Sequence, residues 1–343
     1  MLKKSGLLFV ALPLLVLSCQ ASPMYTSPLP TAASVPTMVP RTLPSALTPT
    51  NIPNATSQVS TTKNQIYGEG DIYFAMSQNG NDQIYKLSLK NQSVTRITTP
   101  PNNYFSAIVS PDQKWIAMGF SESQPNRSEI ALLNLADGTV RKLTNFGAIT
   151  LSPAWFPDSK KIMFHSNKDG EGRFKIYSVN IDGSDLAEWK TNIDVGNQFM
   201  PRITSDGSRV FFVGDRTGVF EILSANIDGS NVRALVATPN RFETQPAITE
   251  DGSLLAFTSF RLSNEMPIVF VAHGDGSGAT APFGTNTAST FPCFSPDNKF
   301  VASVYNPPGK WQIVIRMLGS NDPSEVVYES LTKIDYLTWA RSR

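Results

Sequence analysis

SPAWFPDSKKIMFHSNKDGEGRFKIYSVNIDGSDLAEWKT, residues Ser152–Thr191, decides the fold of this chain. An apolar run, Ser152–Phe156, meets the turn Phe156-Pro157-Asp158-Ser159 and resumes as Lys161–Ser166. Proline pre-sets φ at the second turn position and Asp bonds to its own backbone, so the chain reverses tightly there. After a polar loop, Phe174–Asn180 alternates polar and apolar residues, the period of a half-buried strand. Asp182-Gly183-Ser184 then makes a second hairpin turn, where Gly supplies the positive φ. No 3.6-residue period appears anywhere in the span.

The same unit recurs on both sides. Ser110-Pro111-Asp112-Gln113, Ser205-Asp206-Gly207, Glu250-Asp251-Gly252 and Ser295-Pro296-Asp297-Asn298 repeat the first turn, and successive Asp residues are 46, 48, 45 and 46 positions apart. Each turn precedes a short apolar strand: Trp115–Phe120, Arg209–Gly214, Leu254–Ser259 and Phe300–Val304. A second set follows a variable loop: Glu129–Leu135, Phe220–Asn226, Ile268–His273 and Trp311–Met317. The second turn returns as Asp137-Gly138, Asp228-Gly229-Ser230 and Asp275-Gly276-Ser277. Four short strands per unit of about 45 residues is the arithmetic of a propeller blade. The ends set the blade count. Asp71–Met76 and Gln83–Leu89 match second and third strands without a first, whereas Ile334–Ala340 matches a first strand, Trp339 aligning with Trp155. The fragments complete one another, which predicts an all-β, six-bladed propeller of four-stranded antiparallel blades, closed by the C-terminal strand.

This Pro-Asp unit resembles the WD40-like repeat of the TolB-type β-propeller, and the resemblance spans 66–343. It lacks the Trp-Asp dipeptide of WD40 blades. TolB homologues carry an α/β domain ahead of the propeller, which this chain lacks, so their periplasmic partnership is not carried over. The repeat also occurs in propeller peptidases, but the α/β-hydrolase domain they need does not fit, and Gly274–Gly278 lacks the order of a nucleophile elbow.

Residues ahead of the repeat read as processing and tether segments. Lys3 and Lys4 precede the apolar run Leu7–Leu17, which is too short for a membrane span of roughly 20 residues, so 1–18 is expected to be a signal peptide. Val16-Leu17-Ser18-Cys19 resembles a lipobox, which implies Cys19 as the acylated mature N-terminus and a lipid hold on a membrane. The next 45 residues, 20–64, hold eight Pro, nine Thr and six Ser and no Gly. They cannot bury enough apolar surface to fold alone, so 19–65 is expected to be a disordered tether. Cys293, alone in the apolar Phe291–Phe294, can form no intrachain disulfide once Cys19 is lipidated.

The composition narrows the function classes. The formal charge of +1 becomes −1 on cleavage before Cys19, with no basic stripe, so no nucleic-acid partner is expected. Oligogalacturonide lyases hold a metal with channel histidines. Here only His165 and His273 exist, at the ends of unlike strands, so no metal or cofactor is expected. The first-to-second and third-to-fourth connections are tight turns, and in antiparallel strands they share one face. The longer loops then share the other, where binding residues usually sit on a rigid scaffold. Candidates there are Tyr104, Arg127, Lys168, Arg173, Asp215, Arg216, Arg241, Glu243, Arg261 and Lys310. The expectation is a monomeric, exported binding module for an envelope or extracellular protein or glycan. The alternative is a propeller lyase or hydrolase acting on polysaccharide.

Overall fold

The computed structural model describes residues 50–51, 70–78, 80–122, 127–170, 172–261, 265–286 and 288–342. The signal segment and Cys19 lie outside these residues. So does the expected tether, except that Thr50 and Asn51 pair with Arg96 and Thr95.

Six antiparallel sheets make six blades. Blade 2 shows the pattern, running Asn103–Val109, Trp115–Ser121, Glu129–Asn134 and Val140–Lys142 from the axis outward. Blades 3 and 4 begin on the inner strands Thr150–Trp155 and Gln198–Ile203, and blades 5 and 6 on Phe242–Ile248 and Ser289–Phe294. Blade 1 is assembled from both ends of the domain: Ile334–Ala340 lies innermost and pairs antiparallel with Asp71–Gln78. Asp71 faces Ala340 and Met76 faces Ile334, so ring closure is as expected.

Blade 5 departs from the four-strand expectation. It has three strands, Phe242–Ile248, Leu254–Phe260 and Ile268–His273, and an isolated bridge from Val271 to Thr280 where the fourth would lie. The exposed edge is nonetheless satisfied. Val269 N donates to Ser289 Oγ at 2.9 Å, Val271 N to Thr280 O at 2.8 Å and His273 N to Ser277 O at 2.9 Å. An edge whose donors are already paired is a poor template for another chain.

The apolar alternation buries both faces of each blade against its neighbours. Ile72, Phe74 and Tyr85 of blade 1 pack with Val304, Ile313 and Tyr328 of blade 6. Ile130 and Leu132 of blade 2 meet Trp155, Phe164 and Tyr177 of blade 3. Trp155 Nε1 donates to Ile108 O of the preceding blade at 3.0 Å, which fixes one blade's angle on the next. Burial leaves the Cys293 thiol protonated, its pKa pushed far up. It is an inert core group.

Both turn types are built as their sequences demand. Ser110 Oγ donates to Asp112 Oδ1 at 2.6 Å, and that oxygen accepts from Lys114 N at 3.1 Å. Thr204 with Asp206, Thr249 with Asp251 and Ser295 with Asp297 repeat the hydroxyl bond. The residue after each Asp has positive φ, from 58° at Gln113 to 70° at Gly207. Two of the Asp-Gly turns, at Gly229 and Gly276, depart from the sequence picture in one respect: they lean around the rim against the preceding blade. Gly229 O accepts from Asn192 N at 3.0 Å, and a Cβ on Gly276 would strike Leu235 O.

Candidate functional site

Inner strands run from the variable-loop face toward the Pro-Asp face, so six of them frame an axial channel. Each carries one left-handed residue at the same register: Ser106, Ser152, Met200, Gln245, Phe291 and Tyr336, with φ between 51° and 54°. Each coincides with a break in pairing to the second strand. These are β-bulges, which bend a strand and raise its local twist. Four are followed by Pro153, Pro201, Pro246 or Pro292, residues without an N–H to lose where the ladder is already interrupted. At this level lies a cavity of about 40 Å³ lined by residues from all six inner strands. Ligand pockets run to about 300–1,000 Å³. A few waters fit; a sugar ring does not.

Around the variable face the ten candidates separate by environment. Tyr104 and Glu243 are interior residues, 4% and 1% exposed, and their surface assignment is corrected. Each belongs to an inner strand whose alternation turns it inward: Tyr104 packs on Phe120, and burial raises the pKa of both groups. For Glu243, the Ser259 and Thr238 hydroxyls and the Arg241 charge oppose that rise.

Six others are committed to bonds inside the chain. Asp215 accepts from Asn197 N at 2.6 Å and from Asn197 Nδ2 at 2.8 Å, which ties one loop to the next. Arg216 pairs with the buried Glu221 at 2.8 Å. Arg241 and Arg261 both reach Glu265, each at 3.0 Å. Lys310 pairs with Glu329 at 2.8 Å. Lys168 pairs with Asp169 at 2.6 Å and sits 4.5 Å from the Tyr177 ring centre. Only Arg127 and Arg173 remain as exposed candidate cations without a side-chain partner among the described residues. They stand on neighbouring blades either side of the loop carrying Gly147, where an added Cβ would lie 4.0 Å from Arg127 Nη1.

Sequence reasoning missed Arg202 and Asp335, both on inner strands. Arg202 lines the channel cavity. Asp335 lies just ahead of its strand's bulge, bonded to Lys333 at 2.7 Å, and burial pushes its carboxyl up to about 7. The signal for each was a charged residue inside an otherwise inner-strand pattern. His165 is a buried structural group: its Nδ1 accepts from Met200 N at 3.3 Å, and burial pulls its pKa down to about 3. His273 is exposed at the Asp-Gly turn of blade 5.

Residues 118–241 match the family described as the TolB beta propeller domain. The Tol-Pal system protein TolB of Francisella tularensis subsp. tularensis (strain WY96-3418) is 26% identical over 190 residues, 55% of this chain and 42% of that protein. The chain therefore spans less than half the length of this relative. Among solved structures, TolB from Acinetobacter baumannii superposes with a TM-score of 0.67 at 19% identity, over 80% of this chain and 67% of that one. A putative TolB from Agrobacterium tumefaciens gives 0.55 at 24% identity, over 70% and 91%. The sequence repeat, the ring closure and these likenesses agree: the domain is a six-bladed β-propeller similar to that of TolB.

Proposed function

We propose that this chain is an exported lipoprotein, held to a membrane through Cys19, whose propeller binds an envelope protein through its variable-loop face. One observation carries the binding part: among the described residues, Arg127 and Arg173 are exposed on adjacent blades with no carboxylate spent on them. A guanidinium presents a planar fork that matches carboxylates, so the fitting partner offers an acidic surface. The opposite face is built differently, since its turn carboxylates are occupied by their own turns. Asp112, Asp206 and Asp251 all have lowered pKa values from such bonds, Asp206 to about 2.

Chain direction supports the orientation. Gly70 leads into Asp71–Gln78, a second-position strand that starts on the Pro-Asp side. A lipid upstream would turn that side to the membrane and leave the variable face open. The relative's place in the Tol-Pal system, as its name states it, supports a protein partner in the envelope. The small cavity at the level of the bulges weighs against a sugar ring bound there.

Two experiments test this reading. A photo-activated cross-linker at position 127 or 173 should capture a protein in whole cells, and one at position 160 or 299, on the Pro-Asp face, should not. Equal capture from both pairs, or capture from the second alone, would overturn the assignment. Cys19→Ser should move the protein from the membrane to the soluble fraction. Unchanged membrane retention would sink the anchor.

A further inference from the structure

Among the described residues, the axial cavity is lined by apolar side chains, a few polar ones, one cation and no acid. Arg202 reaches it from blade 4, and Ser106, Ser152 and Gln245 reach it from blades 2, 3 and 5. Arg202 makes one bond, from Nη1 to Pro201 O at 2.7 Å, and no ion pair among the described residues. A guanidinium has five N–H donors, so most of its capacity is unspent. Burial pulls its pKa down to about 10, which still leaves it charged at neutral pH.

The neighbouring groups are arranged to match. Gln245 Oε1 accepts from Phe291 N at 2.9 Å and from Thr258 Oγ1 at 2.8 Å. Because a backbone N–H can only donate, these bonds fix the amide so that its NH₂ is the group left over. Ser106 and Ser152 are buried residues on the cavity wall, and their hydroxyls make no side-chain hydrogen bond among the described residues. Both serines occupy the left-handed bulge positions. Thr338 Oγ1 is already spent on Ala107 O at 2.7 Å. Arg202 and Gln245 are half-buried, and a partly desolvated cation without a counter-charge favours an anion beside it.

We infer that the channel holds a small monovalent carboxylate, of formate to acetate size, on Arg202 with the Ser106 and Ser152 hydroxyls and the Gln245 amide. Its two oxygens match the guanidinium fork, and its charge completes the pair that the chain leaves open. The cavity of about 40 Å³ suits a ligand of a few heavy atoms. This site is separate from the loop-face contact proposed above, and its failure would leave that reading intact.

Isothermal titration and thermal melting of the purified full chain, with sodium formate, acetate, chloride or phosphate at matched ionic strength, test it. Wild type should show saturable binding of formate or acetate with a rise in Tm, and much weaker binding of chloride. Arg202→Met should lose the affinity by about ten- to a hundredfold, as expected for removing charge-assisted bonds. Arg202→Lys keeps the charge and should bind measurably but more weakly, which covers the case of a poorly folded Met variant. Absence of saturable carboxylate binding in wild type would overturn the site. So would equal affinity in the Arg202 variants, or phosphate binding tighter than acetate.

Discussion

Removing residues 331–343 is expected to unfold the domain rather than trim it. That segment holds Ile334–Ala340, the innermost strand of blade 1, and buries Ile334, Leu337 and Trp339 to 0%, 7% and 7% exposure. Each such side chain is worth about 1.5–3 kcal/mol on burial, so the direct loss is about 5–9 kcal/mol. The Asp71–Gln78 strand would lose its inner partner, and blade 6 would lose the cluster that joins Cys293, Phe300 and Tyr328 to blade 1. A domain's entire stability is about 5–15 kcal/mol. The truncated protein should therefore be insoluble or melt far below the intact one. Melting within a few degrees of wild type would contradict a closed ring.

Asp335→Asn should stabilise the protein at pH 8 and change how stability depends on pH. Burial, reinforced by the nearby charge of Asp82 and opposed by Lys333, holds the folded carboxyl at about 7. An unfolded Asp titrates near 3.9. Between those values the native state keeps a proton that the unfolded chain has lost. The stabilisation is complete below about pH 4 and is lost as pH rises through 7. At about 1.4 kcal/mol per unit, the wild type forgoes about 2–4 kcal/mol at pH 8. His165 works in the opposite sense: with its folded pKa at about 3 it stays neutral, while an unfolded His takes up a proton below about 6.5. Stability from that source falls as pH drops from 6.5 toward 3. In the wild type the two slopes oppose between pH 4 and 6.5. The Asn variant should expose the His165 loss, becoming less stable at pH 4.5 than at pH 6.5, and should exceed wild type at pH 8. Urea unfolding at those three values measures it. Parallel curves for both proteins would show that Asp335 does not titrate as described.

The architecture was legible because a blade is a local object. Turn chemistry at Asp112, Asp158, Asp206, Asp251 and Asp297 set the spacing, and the half-blades at Asp71–Leu89 and Ile334–Ala340 could only fit each other. Blade 5 broke the pattern where Gly274–Gly278 and Pro282 replace a strand-forming run, a composition that could have warned of it. The bulges were less visible, since a left-handed Met200 or Phe291 has no side-chain signature. The Pro that follows four of the six was the available trace. The free cations could not be read at all. Whether a loop Arg is spent depends on which carboxylate the neighbouring loop brings near it, and Glu265 takes both Arg241 and Arg261. Arg127 and Arg173 stand clear because no acidic group of the described loops reaches them.

The most direct test of the loop-face account is affinity for the protein captured by cross-linking, measured with two charge-reversed variants. One carries Arg127→Glu and Arg173→Glu on the variable face. The other carries Lys160→Glu and Lys299→Glu, exposed on the Pro-Asp face and without side-chain partners among the described residues. The first should weaken binding by at least about a hundredfold, as reversing two contact charges implies, with Tm unchanged. The second should bind like wild type. Equal loss from both variants, or loss from the second alone, would contradict the account.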